Sequence, residues 1–97
     1  MKSCHLNVNG IGTHILVAGK GKALLLLHGL GGPQMWQRVI EPLSKTFQVM
    51  AVDLPGFGES DCPPQAYSTD DYSKFLDNLF CVTNVSNAVV VGLSYGG

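Results

Sequence analysis

Residues 88–97 read Ala88-Val89-Val90-Val91-Gly92-Leu93-Ser94-Tyr95-Gly96-Gly97, and this stretch decides the fold. An alanine and three β-branched valines spell a short strand of the kind buried on both faces, and it runs directly into a Gly-x-Ser-x-Gly spacing at residues 92–96. That spacing suits a serine on a strand-to-helix turn so sharp that the hydroxyl stands clear of the backbone. The flanking glycines leave room for the turn, and Ser94 becomes the candidate nucleophile. The alternative is an ordinary Gly-rich turn of the kind that holds a phosphate at a helix N-terminus. The phosphate fingerprints G-x-G-x-x-G and G-x-x-x-x-G-K-S/T are absent, which favours the nucleophile.

Working outward, Leu24-Leu25-Leu26-Leu27-His28-Gly29-Leu30-Gly31-Gly32 is a second short apolar run ending in a glycine-rich loop. Such a loop turns backbone N–H groups towards a developing oxyanion. Between the two lies Val49-Met50-Ala51-Val52-Asp53-Leu54-Pro55-Gly56-Phe57-Gly58-Glu59-Ser60-Asp61, a strand followed by a turn-rich loop.

These three segments, in this order and spacing, resemble the third, fourth and fifth strands of an α/β-hydrolase, with the oxyanion loop after the third and the nucleophile elbow after the fifth. The resemblance covers the whole chain. It implies an α/β fold, with residues 1–97 as the N-terminal part of a single α/β-hydrolase domain: an antiparallel hairpin, then parallel strands with crossover helices. It also implies that Ser94 is the catalytic nucleophile and that the backbone N–H groups of Leu30 and Tyr95 form the oxyanion hole, with Gly31 an alternative donor to Leu30.

In that family the triad order is Ser, then Asp or Glu, then His, so both partners of Ser94 lie beyond Gly97 and residues 1–97 by themselves are expected to be inactive. By the same order, His28 reads as a structural histidine bonded within its loop, and Asp53 as the residue that holds the loop following its strand. His5 and His14, in the N-terminal hairpin and away from the strand ends where α/β sheets place ligands, read as surface residues. Met35 and Trp36 touch either substrate or core.

The remaining chain fits the same pattern. Residues 4–8 and 11–18 are β-like runs around Asn9-Gly10, a pair suited to a tight hairpin. Residues 23–27 and 47–52 read as buried strands. Trp36, Val39, Ile40 and Leu43 fall on one stripe of a helix over residues 34–45, with a kink or early end at Pro42. Ser68 or Thr69 caps a second helix whose buried face carries Tyr72, Phe75, Leu76, Leu79, Phe80 and Thr83, and which ends within residues 84–87.

Seven acids against six bases leave a net charge of −1, without a charged run of the sort that binds nucleic acid or an anionic membrane. Cys4, Cys62 and Cys81 are odd in number and share no disulfide or metal-ligand spacing, so they read as free thiols in a reducing compartment. The N-terminus lacks the apolar core of a secretory signal, and no apolar run is long enough to span a bilayer.

The expected location is cytoplasmic and the expected partner a small-molecule substrate. Neither cofactor nor metal is expected, and nothing in the sequence sets the oligomeric state. The resemblance implies a serine hydrolase acting on a carboxylic ester, thioester, lactone or related carbonyl compound. The same fold also hosts acyltransferases, lyases, C–C bond hydrolases and ligand receptors, and a truncated remnant without activity is a further alternative.

Overall fold

The computed structural model describes residues 2–8, 10–29, 32–65, 67–83 and 88–92. The apolar runs of residues 24–27 and 49–52, bounded by glycines and polar residues, become strands that are buried along their length. The strands are β1 (Lys2–Val8), β2 (Ile11–Ala18), β3 (Lys22–Leu27), β4 (Phe47–Val52) and β5 (Val89–Gly92), in the spatial order β1-β2-β4-β3-β5. β1 and β2 form the expected antiparallel hairpin, with Val8 opposite Ile11 and the Gly10 N–H donating to Asn7 Oδ1 at 2.8 Å. β2 is antiparallel to β4, while β3 runs parallel to both β4 and β5.

Side-chain alternation splits each central run between two cores. Leu25, Leu27, Met50 and Val52 pack on one face with Val8, Ile15, Phe75 and Leu79. Leu24, Leu26, Val49 and Ala51 pack on the other with Ala18, Trp36 and Ile40. Leucine at four successive positions is therefore useful on both faces, and each fully buried leucine contributes about 2 kcal/mol relative to exposure. The β2–β3 turn brings Gly19 (φ 84°) against the backbone carbonyls of Ser44 and Phe47, where a Cβ would collide. Only glycine fits that approach.

The helix expected over residues 34–45 is broken. Residues Pro33–Trp36 form a 3₁₀ turn, and the α-helix α1 covers only Ile40–Leu43. A continuous helix would need an N–H at Pro42 for the Arg38 carbonyl, and proline has none. Instead the bonds run i to i−3 through Val39 N–H to Trp36 O (3.0 Å), and the i to i−4 pattern begins with Leu43 N–H to Val39 O (3.0 Å). Pro42 thereby falls in a first turn, where no donor is required. Trp36 and Ile40 keep their places in the core, but Val39 turns outward and is exposed.

Helix α2 (Thr69–Thr83) starts where expected and buries Phe75 and Leu79. Its start is a reciprocal cap: the Asp71 N–H donates to Ser68 Oγ (3.2 Å), and the Ser68 N–H donates to Asp71 Oδ2 (2.8 Å). Those bonds, the backbone N–H of Ser68 first and its hydroxyl second, hold the Asp71 carboxyl below its ordinary value of 3.8. Ser68→Ala should cost about 1 kcal/mol in a urea melt at neutral pH. A carboxyl whose folded pKa is depressed stabilises above its ordinary pKa and loses that contribution as pH falls through the folded value. The gap between wild type and Ser68→Ala should therefore narrow as pH drops below 3.8. A gap that widens in acid would contradict the cap. The expected helix end at residues 84–87 lies outside the described residues.

The valines of β5 differ from expectation. Val89, Val90 and Val91 are 39%, 49% and 40% exposed rather than buried on both faces. Among the described residues β5 pairs with β3 alone, and residues 93–97 that follow it lie outside them. Among the described residues no helix is long and apolar enough to cross a membrane. Cys4 is half-buried, Cys62 and Cys81 are exposed, and all three are unpaired.

Candidate active site

The parallel strands β4, β3 and β5 bring three chain segments to one edge of the sheet. In register, Leu27 sits beside Val52 on one side and Gly92 on the other. The residues that follow, His28-Gly29 after β3 and Asp53-Leu54 after β4, therefore leave the sheet beside the C-terminal end of β5. Carboxyl ends of strands are where open α/β sheets bind ligands. Ser94, Leu30 and Tyr95, the three residues assigned to catalysis from sequence, all lie outside the described residues.

His28 is fully buried at the mouth of β3. Its Nε2 lies 3.0 Å from the Leu54 N–H, which can only donate, so Nε2 accepts and the ring proton sits on Nδ1. That Nδ1–H donates to the Gly29 carbonyl at 2.8 Å. The Gly32 N–H donates to the same carbonyl at 3.0 Å, and the ring meets Phe57 edge-on at 4.8 Å. With both nitrogens engaged by backbone, His28 is not free to take a proton from a nucleophile. It is the structural histidine expected from sequence, and it clamps the loop after β3 to the loop after β4.

Asp53 holds its loop, also as expected. Its Oδ2 accepts the Glu59 N–H at 3.0 Å, and its backbone carbonyl accepts Ser60 Oγ–H at 2.5 Å. Gly58 (φ 52°) packs against that carboxylate so closely that a Cβ there would meet Asp53 Oδ2. The loop returns along β2: the Asp53 N–H donates to the His14 carbonyl (3.0 Å), the His14 N–H to Ser60 Oγ (2.9 Å), and the Asp61 N–H to the Gly12 carbonyl (2.7 Å).

The correction in this region is His14. Read as a surface residue, it is instead 4% exposed, with Nδ1 2.8 Å from Asp53 Oδ2 and Nε2 2.6 Å from Ser3 Oγ. Hydroxyl, imidazole and carboxylate are thus aligned across β1, β2 and the end of β4. His14 is buried because the sheet sets β2 between β1 and β4 and brings Asp53 and Ser3 against its ring, a long-range placement that no local signal in the sequence carries. His5, directly opposite on β1, is the surface residue expected. A shallow open cleft beside His14 is lined by Leu16, Pro33, Gln34, Ile40 and Glu59. Trp36 belongs to the core, where its Nε1 has no hydrogen-bond partner among the described residues, and Met35 packs beside it.

With the sheet order and the loop geometry in place, comparison with known proteins decides the family. The alpha/beta hydrolase fold profile matches residues 22–97. The chain belongs to the alpha/beta hydrolase fold family. It is 35% identical over 97 residues to 2-hydroxy-6-oxo-6-(2'-aminophenyl)hexa-2,4-dienoic acid hydrolase of Metapseudomonas resinovorans, covering 95% of this chain and 33% of that protein. It is 39% identical over 83 residues to pimeloyl-[acyl-carrier protein] methyl ester esterase of Pseudoalteromonas atlantica, covering 81% of this chain and 30% of that one. Among solved structures, epoxide hydrolase CorEH without ligand superposes with a TM-score of 0.91 at 29% identity, over 98% of this chain and 34% of that one. The chain spans about a third of the length of these relatives, 33% and 30% for the two enzymes above. Those relatives are hydrolases by name, and they differ in the bond they break.

Proposed function

We propose that the protein carrying this chain is a serine hydrolase that cleaves a small carboxylic ester, thioester, lactone or related carbonyl compound without a cofactor. Ser94 Oγ attacks the carbonyl carbon, and its proton passes to a histidine supplied from outside residues 1–97. The new oxyanion accepts hydrogen bonds from the Leu30 and Tyr95 N–H groups, each worth about 3 kcal/mol to the transition state. Collapse expels the alcohol or thiol, and water then attacks the acyl-enzyme by the same route. The observation that carries this reading is the register of β3 against β5, Leu27 beside Gly92. It starts the glycine loop after β3 and the Gly-x-Ser-x-Gly motif from neighbouring strand ends, where a nucleophile and its oxyanion donors need to meet.

His28 and Asp53 enter as scaffold, since their polar atoms are committed to the loops. A small-molecule substrate, rather than nucleic acid or membrane, suits the near-zero net charge of −1 and the lack of charged runs. A cytoplasmic setting suits the three free thiols. The proposal separates from epoxide opening and C–C cleavage by its substrate. Steady-state assays of the full-length protein on p-nitrophenyl butyrate and on styrene oxide should give ester turnover and no epoxide hydrolysis. Epoxide hydrolysis with no ester turnover would overturn the acyl-transfer reading.

A further inference from the structure

His14 and His5 face one another across the β1–β2 hairpin, and the loop after β4 brings Glu59 over both. We propose that His5 Nε2, His14 Nε2 and the Glu59 carboxylate form a binding site for a Zn²⁺-class transition-metal ion. Directly opposed positions in an antiparallel pair hold their Cβ atoms about 5 Å apart, so two histidines there present their rings to one point. The rings are 4.9 Å apart between centroids. One Glu59 oxygen lies 3.9 Å from His5 Nε2 and the other 3.8 Å from His14 Nε2, and one ligand atom from each residue lies within 4.8 Å of the others. Tetrahedral coordination at about 2.1 Å per bond needs ligand atoms about 3.4 Å apart. The remaining closure falls to His5 and Glu59, whose side chains are 61% and 70% exposed and free to change rotamer.

The fixed member of the set is already prepared for a metal. His14 is buried, and its Nδ1 is bonded at 2.8 Å to the Asp53 carboxylate, so Nε2 is the atom left to point outward. Carboxylate to imidazole to metal is the arrangement that fixes the tautomer and raises the basicity of a metal-bound histidine. Glu59 is held by its own backbone N–H on the same Asp53 oxygen. Two imidazoles and one carboxylate are a borderline donor set that suits Zn²⁺ and leaves a fourth position for water. The Ser3 hydroxyl, now 2.6 Å from His14 Nε2, would yield its place to the ion. A bound ion would tie β1, β2 and the loop after β4 together.

The test is calorimetric titration of Zn²⁺ into the chelator-treated full-length protein, with Cys62→Ser and Cys81→Ser as background so that exposed thiols do not compete. One equivalent should bind, and both His5→Ala and Glu59→Gln should weaken it at least tenfold, the scale on which lost ligands or their supports act. Ser3→Ala removes the competing hydroxyl and should leave affinity equal or higher. Zn²⁺ should raise the melting temperature of the background protein but not that of His5→Ala. Absence of binding, or affinity unchanged by both His5→Ala and Glu59→Gln, would overturn the site. Ester turnover by Ser94 is independent of either result.

Discussion

Ser94→Ala in the full-length protein should reduce kcat/KM for a short-chain p-nitrophenyl ester by more than about 100-fold, towards the roughly 10⁶-fold loss that follows removal of a triad serine. In the proposed mechanism the hydroxyl supplies the electron pair that forms the acyl-enzyme. What remains is the oxyanion hole and substrate binding, which still accelerate hydrolysis about 10³- to 10⁴-fold over water. Substrate affinity and melting temperature should stay near wild type, because removing one hydroxyl opens almost no cavity. Stopped-flow burst kinetics adds a second readout: the burst of p-nitrophenolate that marks acyl-enzyme formation should vanish. Retention of more than about a hundredth of the parent rate would place the nucleophile elsewhere.

Asp53→Ala should be the most destabilising of the polar substitutions in this chain, by about 3 kcal/mol or more. One carboxylate oxygen serves both the His14 Nδ1–H at 2.8 Å and the Glu59 N–H at 3.0 Å. Alanine strands the buried His14 donor and releases the loop that packs along β2. The cost of an orphaned buried donor then adds to the lost charge-assisted bond. Asp53→Asn keeps an acceptor oxygen in reach and should recover part of the loss. Urea unfolding of the three proteins decides the point. If Asp53→Ala lies within about 0.5 kcal/mol of wild type, as ordinary surface changes do, the carboxylate does not hold the loop.

Strand positions were legible in this sequence because glycines and polar turns cut its apolar runs to strand length: residues 47–52 were bounded as found, and the second helix starts at Thr69 as its cap signal indicated. The sequence also carried the order of the two glycine-rich segments, which follow strands that end up adjacent and parallel. Periodicity misled at residues 34–45: the apolar stripe was real for Trp36 and Ile40, but a missing N–H at Pro42 broke the helix and turned Val39 to solvent. Alternation could not locate His14, because its partner Asp53 is 39 residues away and the pair exists only once β2 lies against β4.

The most direct measurement on the central claim is active-site labelling. The full-length protein is treated with a fluorophosphonate, the adduct counted by intact mass and located by peptide mapping, with Ser94→Ala treated in parallel. The account predicts one adduct per chain, on Ser94, and none on the variant. An adduct on another residue, or equal labelling of wild type and Ser94→Ala, would contradict the assignment of Ser94 as the nucleophile.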